Sequence, residues 1–170
     1  MRSIELVFDD ATESAITADW SRLAAAGLPS LASHTAPSNR PHITLAAGGG
    51  LLVPDALEVF RGTLPLDVAF SGVQVFSGGR YKYVLARSVV LSTALAQVHR
   101  DLHANIGGAV ALTLPGAWTP HVTLARRVTG EQLGRALDLL ELPFEGRIEG
   151  ARLWDSSTKS VTALQPRHPA

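Results

Sequence analysis

Cysteine is absent from the 170 residues, which removes thiol nucleophiles, disulfides and thiolate metal sites together. No Gly-x-Ser-x-Gly elbow occurs, so a Ser-His-Asp hydrolase of that design is disfavoured. The Asp and His clusters of metal-dependent phosphatases are missing too. No run approaches the roughly 18 apolar residues of a membrane span. The apolar segment Ile4 to Phe8 is too short for a signal peptide and acids follow it, so the expectation is a cytoplasmic protein without a membrane partner. There is also no excess of either charge: 15 basic residues balance 15 acidic ones. Proteins that track a long nucleic-acid duplex gain most of their affinity from phosphate neutralisation, so this balance excludes such a track and leaves a nucleotide or an RNA end as substrate.

What is present suits a packed domain. Hydrophobic residues make up 46% and charged residues 18%, enough apolar material for a core in one domain or two fused lobes. Ile4 to Phe8 reads as a strand and Asp10 to Ala26 as a helix stopped by Gly27 and Pro29. After a Ser/Pro/Asn-rich loop, residues 41–46 alternate as a strand that ends at Gly48-Gly49-Gly50. Pro54 opens a short helix, and β segments at about 66–76 and 81–87 form a hairpin through Gly78-Gly79. Leu91, Leu95, Val98 and Leu102 give helical spacing over 90–106. A strand at 121–125 comes next, then a helix that Thr129 and Gln132 begin with a capping box, and a last β pair at 144–154 and 160–164.

The halves match when laid on one another. Pro41-His42-Ile43-Thr44-Leu45-Ala46 aligns with Pro120-His121-Val122-Thr123-Leu124-Ala125, at an offset of 121 − 42 = 79. Gly72 with Gly150, Phe76 with Trp154 and Tyr83 with Val161 all fall at 78. The expected organisation is therefore a single α+β domain over 1–170 made of two duplicated, pseudo-two-fold related lobes, about 1–88 and 89–170. Each lobe is expected to hold its own antiparallel sheet with flanking helices, and a cleft to lie between them.

Residues two apart on a strand share a face, so His42 and Thr44 project together while Ile43 and Leu45 enter the core, and His121 and Thr123 repeat the arrangement. Two imidazoles facing one bound group can act as base and acid on a phosphoester, and two hydroxyls can hold its non-bridging oxygens. Protons and orientation come from these four side chains, so no metal or other cofactor is required. Which histidine is the acid stays open.

The paired His-x-Thr-Leu motifs, their separation and the element order resemble the 2H phosphoesterase superfamily, in particular its LigT-like, 2′-5′ RNA ligase branch, over nearly the whole chain. The resemblance implies catalytic His42 and His121, phosphate-binding Thr44 and Thr123, and RNA 2′,3′-cyclic phosphodiesterase activity with reversible 2′-5′ ligation. Arg126 stands where many LigT-like proteins carry an arginine. It has strand parity opposite to His121, however, and needs a bulge to reach the cleft.

Other residues carry open alternatives. Arg40 is a phosphate ligand or one side of a salt bridge. Trp118 and Tyr83 either stack a base or pack the core, and core packing is the better reading of Phe76. His99 and His103 have metal-pair spacing but no third ligand, which favours an exposed helical face. His34 and His168 are assigned nothing. Gly48-Gly49-Gly50 lacks the Lys and Ser/Thr of a P-loop and reads as a flexible connection on the cleft rim. A small cyclic nucleotide metabolite as substrate, or a nucleotide- or RNA-end-binding module without turnover, are the rival functions, and a monomer is the expected state.

Overall fold

A computed structural model describes residues 1–53 and 56–165. The predicted helix start at Pro54 and the unassigned His168 lie outside the described residues. The strands are β1 (Arg2–Phe8), β2 (His42–Gly48), β3 (Leu66–Ser77), β4 (Tyr83–Val89), β5 (His121–Val128), β6 (Phe144–Asp155) and β7 (Ser160–Gln165). The helices are α1 (Asp10–Ala25), α2 (Ala56–Phe60), α3 (Thr93–Asn105) and α4 (Gly130–Leu137). None is long and apolar enough to cross a membrane.

Local chemistry sets the helix ends. The Asp9 carboxylate accepts from Thr12 N to start α1, and Ser92 does the same for α3 through Leu95 N. The capping box predicted at Thr129 and Gln132 is present on α4, with both reciprocal bonds made. Such caps are worth about 1 kcal/mol each.

The strands join in one antiparallel sheet of order β2-β1-β6-β3-β4-β5, with β7 added to β6. This differs from the expectation of one sheet per lobe. The physical reason is that β3 and β6 pair across the middle, from Leu66↔Ile148 to Phe70↔Phe144, and so join the two parts into one hydrogen-bonded sheet. The two outer parts of the sheet repeat each other's register. Glu5 lies opposite Thr44 and Ala86 opposite Thr123, while Val7 faces His42 and Ser88 faces His121. By register β4 is therefore the equivalent of β1, so the match of Tyr83 to Val161 in β7 does not describe the pairing. At the centre Val68 opposes Gly146, and 146 − 68 = 78 is the same offset that relates β3 to β6.

One face of the sheet packs on the helices. Ile4, Leu6 and Phe8 of β1 meet Ile16 and Leu23 of α1, with Phe70, Leu85, Val122 and Leu124 continuing the same core. Within it Arg87 of β4 pairs with Asp19 of α1, both essentially without solvent exposure, and stacks at 4.5 Å on Phe144. Gly48 is buried against Gly108 while Gly49 and Gly50 are exposed in a turn, so the reading as a flexible rim is corrected at Gly48. A Cβ on Gly48 would stand 2.1 Å from the Gly108 carbonyl oxygen, and one on Gly108, whose φ is +76°, 2.1 Å from that of Gly50. The two backbones approach closely there because neither carries a side chain.

Candidate active site

His42 and His121 open β2 and β5, each directly after a proline. Each ring is held in the same way: Nδ1 lies 2.8 Å from the carbonyl oxygen two residues earlier, that of Arg40 for His42 and that of Thr119 for His121. A carbonyl oxygen only accepts, so Nδ1 carries the hydrogen and Nε2 of the neutral ring presents its lone pair. Both imidazoles are half-buried.

The residue after each threonine is bulged. Against β1 the register passes from Thr44↔Glu5 to Ala46↔Ile4 and skips Leu45. Against β4 it passes from Thr123↔Ala86 to Ala125↔Leu85 and skips Leu124. A bulge reverses the parity of the residues beyond it. Ala125 consequently turns into the core, and Arg126 turns to the side where Thr123 projects. This is the bulge that the sequence alone required of Arg126.

Thr44, Thr123, His121, Arg126, Trp118 and Phe76 line one cavity of about 510 Å³. The outer strands β2 and β5, at opposite ends of the strand order, approach each other there. Side chains from the far half secure their free edges. Trp118 donates from Nε1 to Thr44 O at 2.8 Å, His103 from Nε2 to Leu45 O at 3.1 Å, and Trp20 of α1 from Nε1 to Thr123 O at 3.2 Å. Each of these bonds contributes about 1 kcal/mol net, and together they keep the edges closed to other strands.

Electrostatically the two histidines differ. Burial lowers the pKa of His121 below the ordinary imidazole value; its bond to the Thr119 carbonyl opposes this, while positive charge on His42 and on Arg126 adds to it. The Phe76 ring, 4.6 Å away, supplies part of the dry surroundings. His42 instead faces Glu5, whose Oε1 is 3.7 Å from Nε2. Glu5 is buried and fixed by Arg152 Nε at 2.8 Å and Ser3 Oγ at 2.7 Å. At the register positions equivalent to Glu5 and Ser3, β4 carries Ala86 and Val84. Among the described contacts His121 meets no carboxylate.

The remaining candidates divide clearly. Arg40 is tied to Glu13 of α1 through Nε and Nη2, so the salt-bridge alternative describes it. Tyr83 precedes Val84, which lines the cavity, and so points to the other face of β4. Trp118 lines the cavity, but its ring is also stacked on His99 at 3.9 Å and 5°. His99 is buried and bonds to the Thr113 carbonyl, which corrects the exposed-face reading: its spacing to His103 serves to brace Trp118 and β2. Phe76, read as core, lines the site. Its even parity with Gly72 and Gln74 along β3 was the available signal. Glu5 was missed because only the pairing of β1 with β2 sets it beside His42. Among the described residues no group of three His, Cys, Asp or Glu is arranged to hold a metal ion.

The fold is that of the 2H phosphoesterases. The chain belongs to the 2′-5′ RNA ligase superfamily, whose family model matches residues 12–160. Two solved structures share the architecture at low identity. Usb1 of Kluyveromyces marxianus is 12% identical over 97% of both chains, with a TM-score of 0.53. TT0787 of Thermus thermophilus is 17% identical over 96% of this chain and 94% of its own, with a TM-score of 0.51. No curated protein sequence matches the chain.

Proposed function

We propose that the protein is a phosphodiesterase that opens a cyclic phosphate at an RNA or nucleotide end, with His42 and His121 as the acid–base pair and Thr44 and Thr123 as phosphate ligands. The observation that carries this reading is the cavity shared by His121 and both threonines, with His42 close enough for its charge to act on His121. Membership of the superfamily supports the reaction class. We further propose that the two halves are duplicated lobes that exchange β3 and β6, which places the boundary in the turn between β3 and β4.

The asymmetry of the site supports a division of roles. His121, neutral at pH 7 because burial disfavours its charged form, takes a proton from water through Nε2 as the water attacks phosphorus. The bond from phosphorus to one ring ester oxygen breaks, and His42, whose charged form faces the Glu5 carboxylate, delivers a proton to that oxygen. A cyclic diester and water thus become a monoester and a hydroxyl. Thr44, Thr123 and Arg126 offer donors to the non-bridging oxygens, where charge concentrates. With an RNA 5′-hydroxyl attacking in place of water and the 3′ oxygen leaving, the same groups in the same roles serve 2′-5′ ligation.

Turnover of nucleoside 2′,3′-cyclic phosphates by wild type, His42→Ala and His121→Ala, each in excess EDTA, tests the reading. Wild-type activity that survives EDTA and is lost in both variants is expected. Unchanged rates in the variants would overturn the assignment, and activity lost in EDTA alone would overturn the metal-free mechanism. A binding module remains the rival outcome, marked by tight nucleotide binding without turnover.

A further inference from the structure

A second and larger groove, about 910 Å³, opens on the same face of the sheet as the two dyads. Val7, Val161 and Trp154 form its apolar floor, and Arg40, Arg152 and Lys159 stand around it. Its described lining contains no carboxylate. The groove adjoins His42, because Val7 is the cross-strand partner of His42 and the Arg40 carbonyl holds the His42 ring. Trp154 is also the register equivalent of Phe76, at 154 − 76 = 78. Phe76 packs on His121, whereas His42 faces the Glu5 carboxylate that Arg152 holds, and no ring contact ties Trp154 to a histidine among the described residues.

We propose that this groove is a subsite for the nucleotide next to the reacting phosphate end of a single-stranded RNA, which makes oligonucleotide ends better substrates than mononucleotides. The proposal rests on the phosphodiesterase reading above. A half-buried indole over an aliphatic floor suits the face of a base, and stacking of that kind tolerates any base. Lys159, exposed on the β6–β7 turn, supplies a cation for one backbone phosphate. Arg40 and Arg152 already have their charges met by Glu13 and Glu5, so they shape the wall and add little net charge. One uncompensated cation fits a short strand and a shallow salt dependence, with a slope of about −0.7 per phosphate neutralised.

The experiment compares kcat/KM for adenosine 2′,3′-cyclic phosphate with that for a trinucleotide carrying the same cyclic end. Wild type should prefer the trinucleotide by about tenfold, the order expected of one stacked base. Trp154→Ala and Trp154→Leu should erase that preference and leave the mononucleotide rate unchanged. Lys159→Glu, on an exposed turn, should reduce it severalfold. Equal wild-type rates on the two substrates would overturn the subsite and leave the phosphodiesterase reading standing. If neither substrate turns over, calorimetry with a trinucleotide 3′-phosphate decides the matter. Binding about tenfold weaker in Trp154→Ala supports the subsite, and equal binding overturns it.

Discussion

Behind His42 stands a buried carboxylate held by an arginine and a serine; behind His121 stands a phenylalanine ring. Yet the strands that carry the two histidines share their proline, their Nδ1 bond, their bulge and the burial pattern of their first five residues. What the halves keep in common is the backbone that aims each imidazole. What separates them is the environment of each ring, a carboxylate beside His42 and an aromatic, desolvating wall beside His121. On the proposed mechanism, a symmetric scaffold thereby supplies an acid and a base from one motif.

The largest effect expected from breaking that comparison is loss of turnover. Either His→Ala substitution should lower kcat by about 10²–10⁴, the usual range for a general acid or base. The loss becomes unequal when the leaving group changes. With a p-nitrophenyl phosphodiester, whose leaving oxygen needs no proton, His42→Ala should recover most of its rate and His121→Ala none. Equal losses on that substrate would contradict the assigned roles.

A stability effect comes next. Asp19→Ala leaves Arg87 charged and unpaired in the core beneath β4 and should cost about 3–5 kcal/mol in urea unfolding. Its counterpart on the site face, Glu5→Gln, removes the charge that answers both Arg152 and a charged His42. This change should reduce kcat by more on natural esters than on the p-nitrophenyl ester.

Smaller effects should appear in the pH dependence. Because burial lowers the pKa of His121, the acid limb of kcat/KM should lie below the ordinary imidazole value of about 6.5. Phe76→Ala admits water and should move that limb upward, toward 6.5. His99 is lowered by burial as well. Below about pH 6.5 the unfolded chain therefore binds protons that the folded chain refuses at both rings, and stability should fall as pH drops from 7 to 5. A urea midpoint that rose on acidification would contradict the burial of these two rings.

Much of this was legible in the sequence. The alternation around His42 and His121, the capping box at Thr129 and the repeat offset come from local spacing, and local spacing survives folding. Long-range pairing was not legible. The joining of β3 to β6 into one sheet, and the setting of Glu5 beside His42, depend on register between strands far apart in the chain. His99 carries the same helical spacing whether it faces solvent or Trp118, so only the packing of the 111–118 segment distinguishes the two. Gly48–Gly50 is equally ambiguous by composition, since glycine serves a loose turn and a close approach alike.

The central claim is that the twin dyads act on one phosphate. A crystal structure with a nucleoside 3′-monophosphate bound tests it most directly. The account predicts phosphorus between the Nε2 atoms of His42 and His121, with both the Thr44 and Thr123 hydroxyls on its oxygens. A phosphate engaged by one dyad alone, or seated away from both, would contradict it.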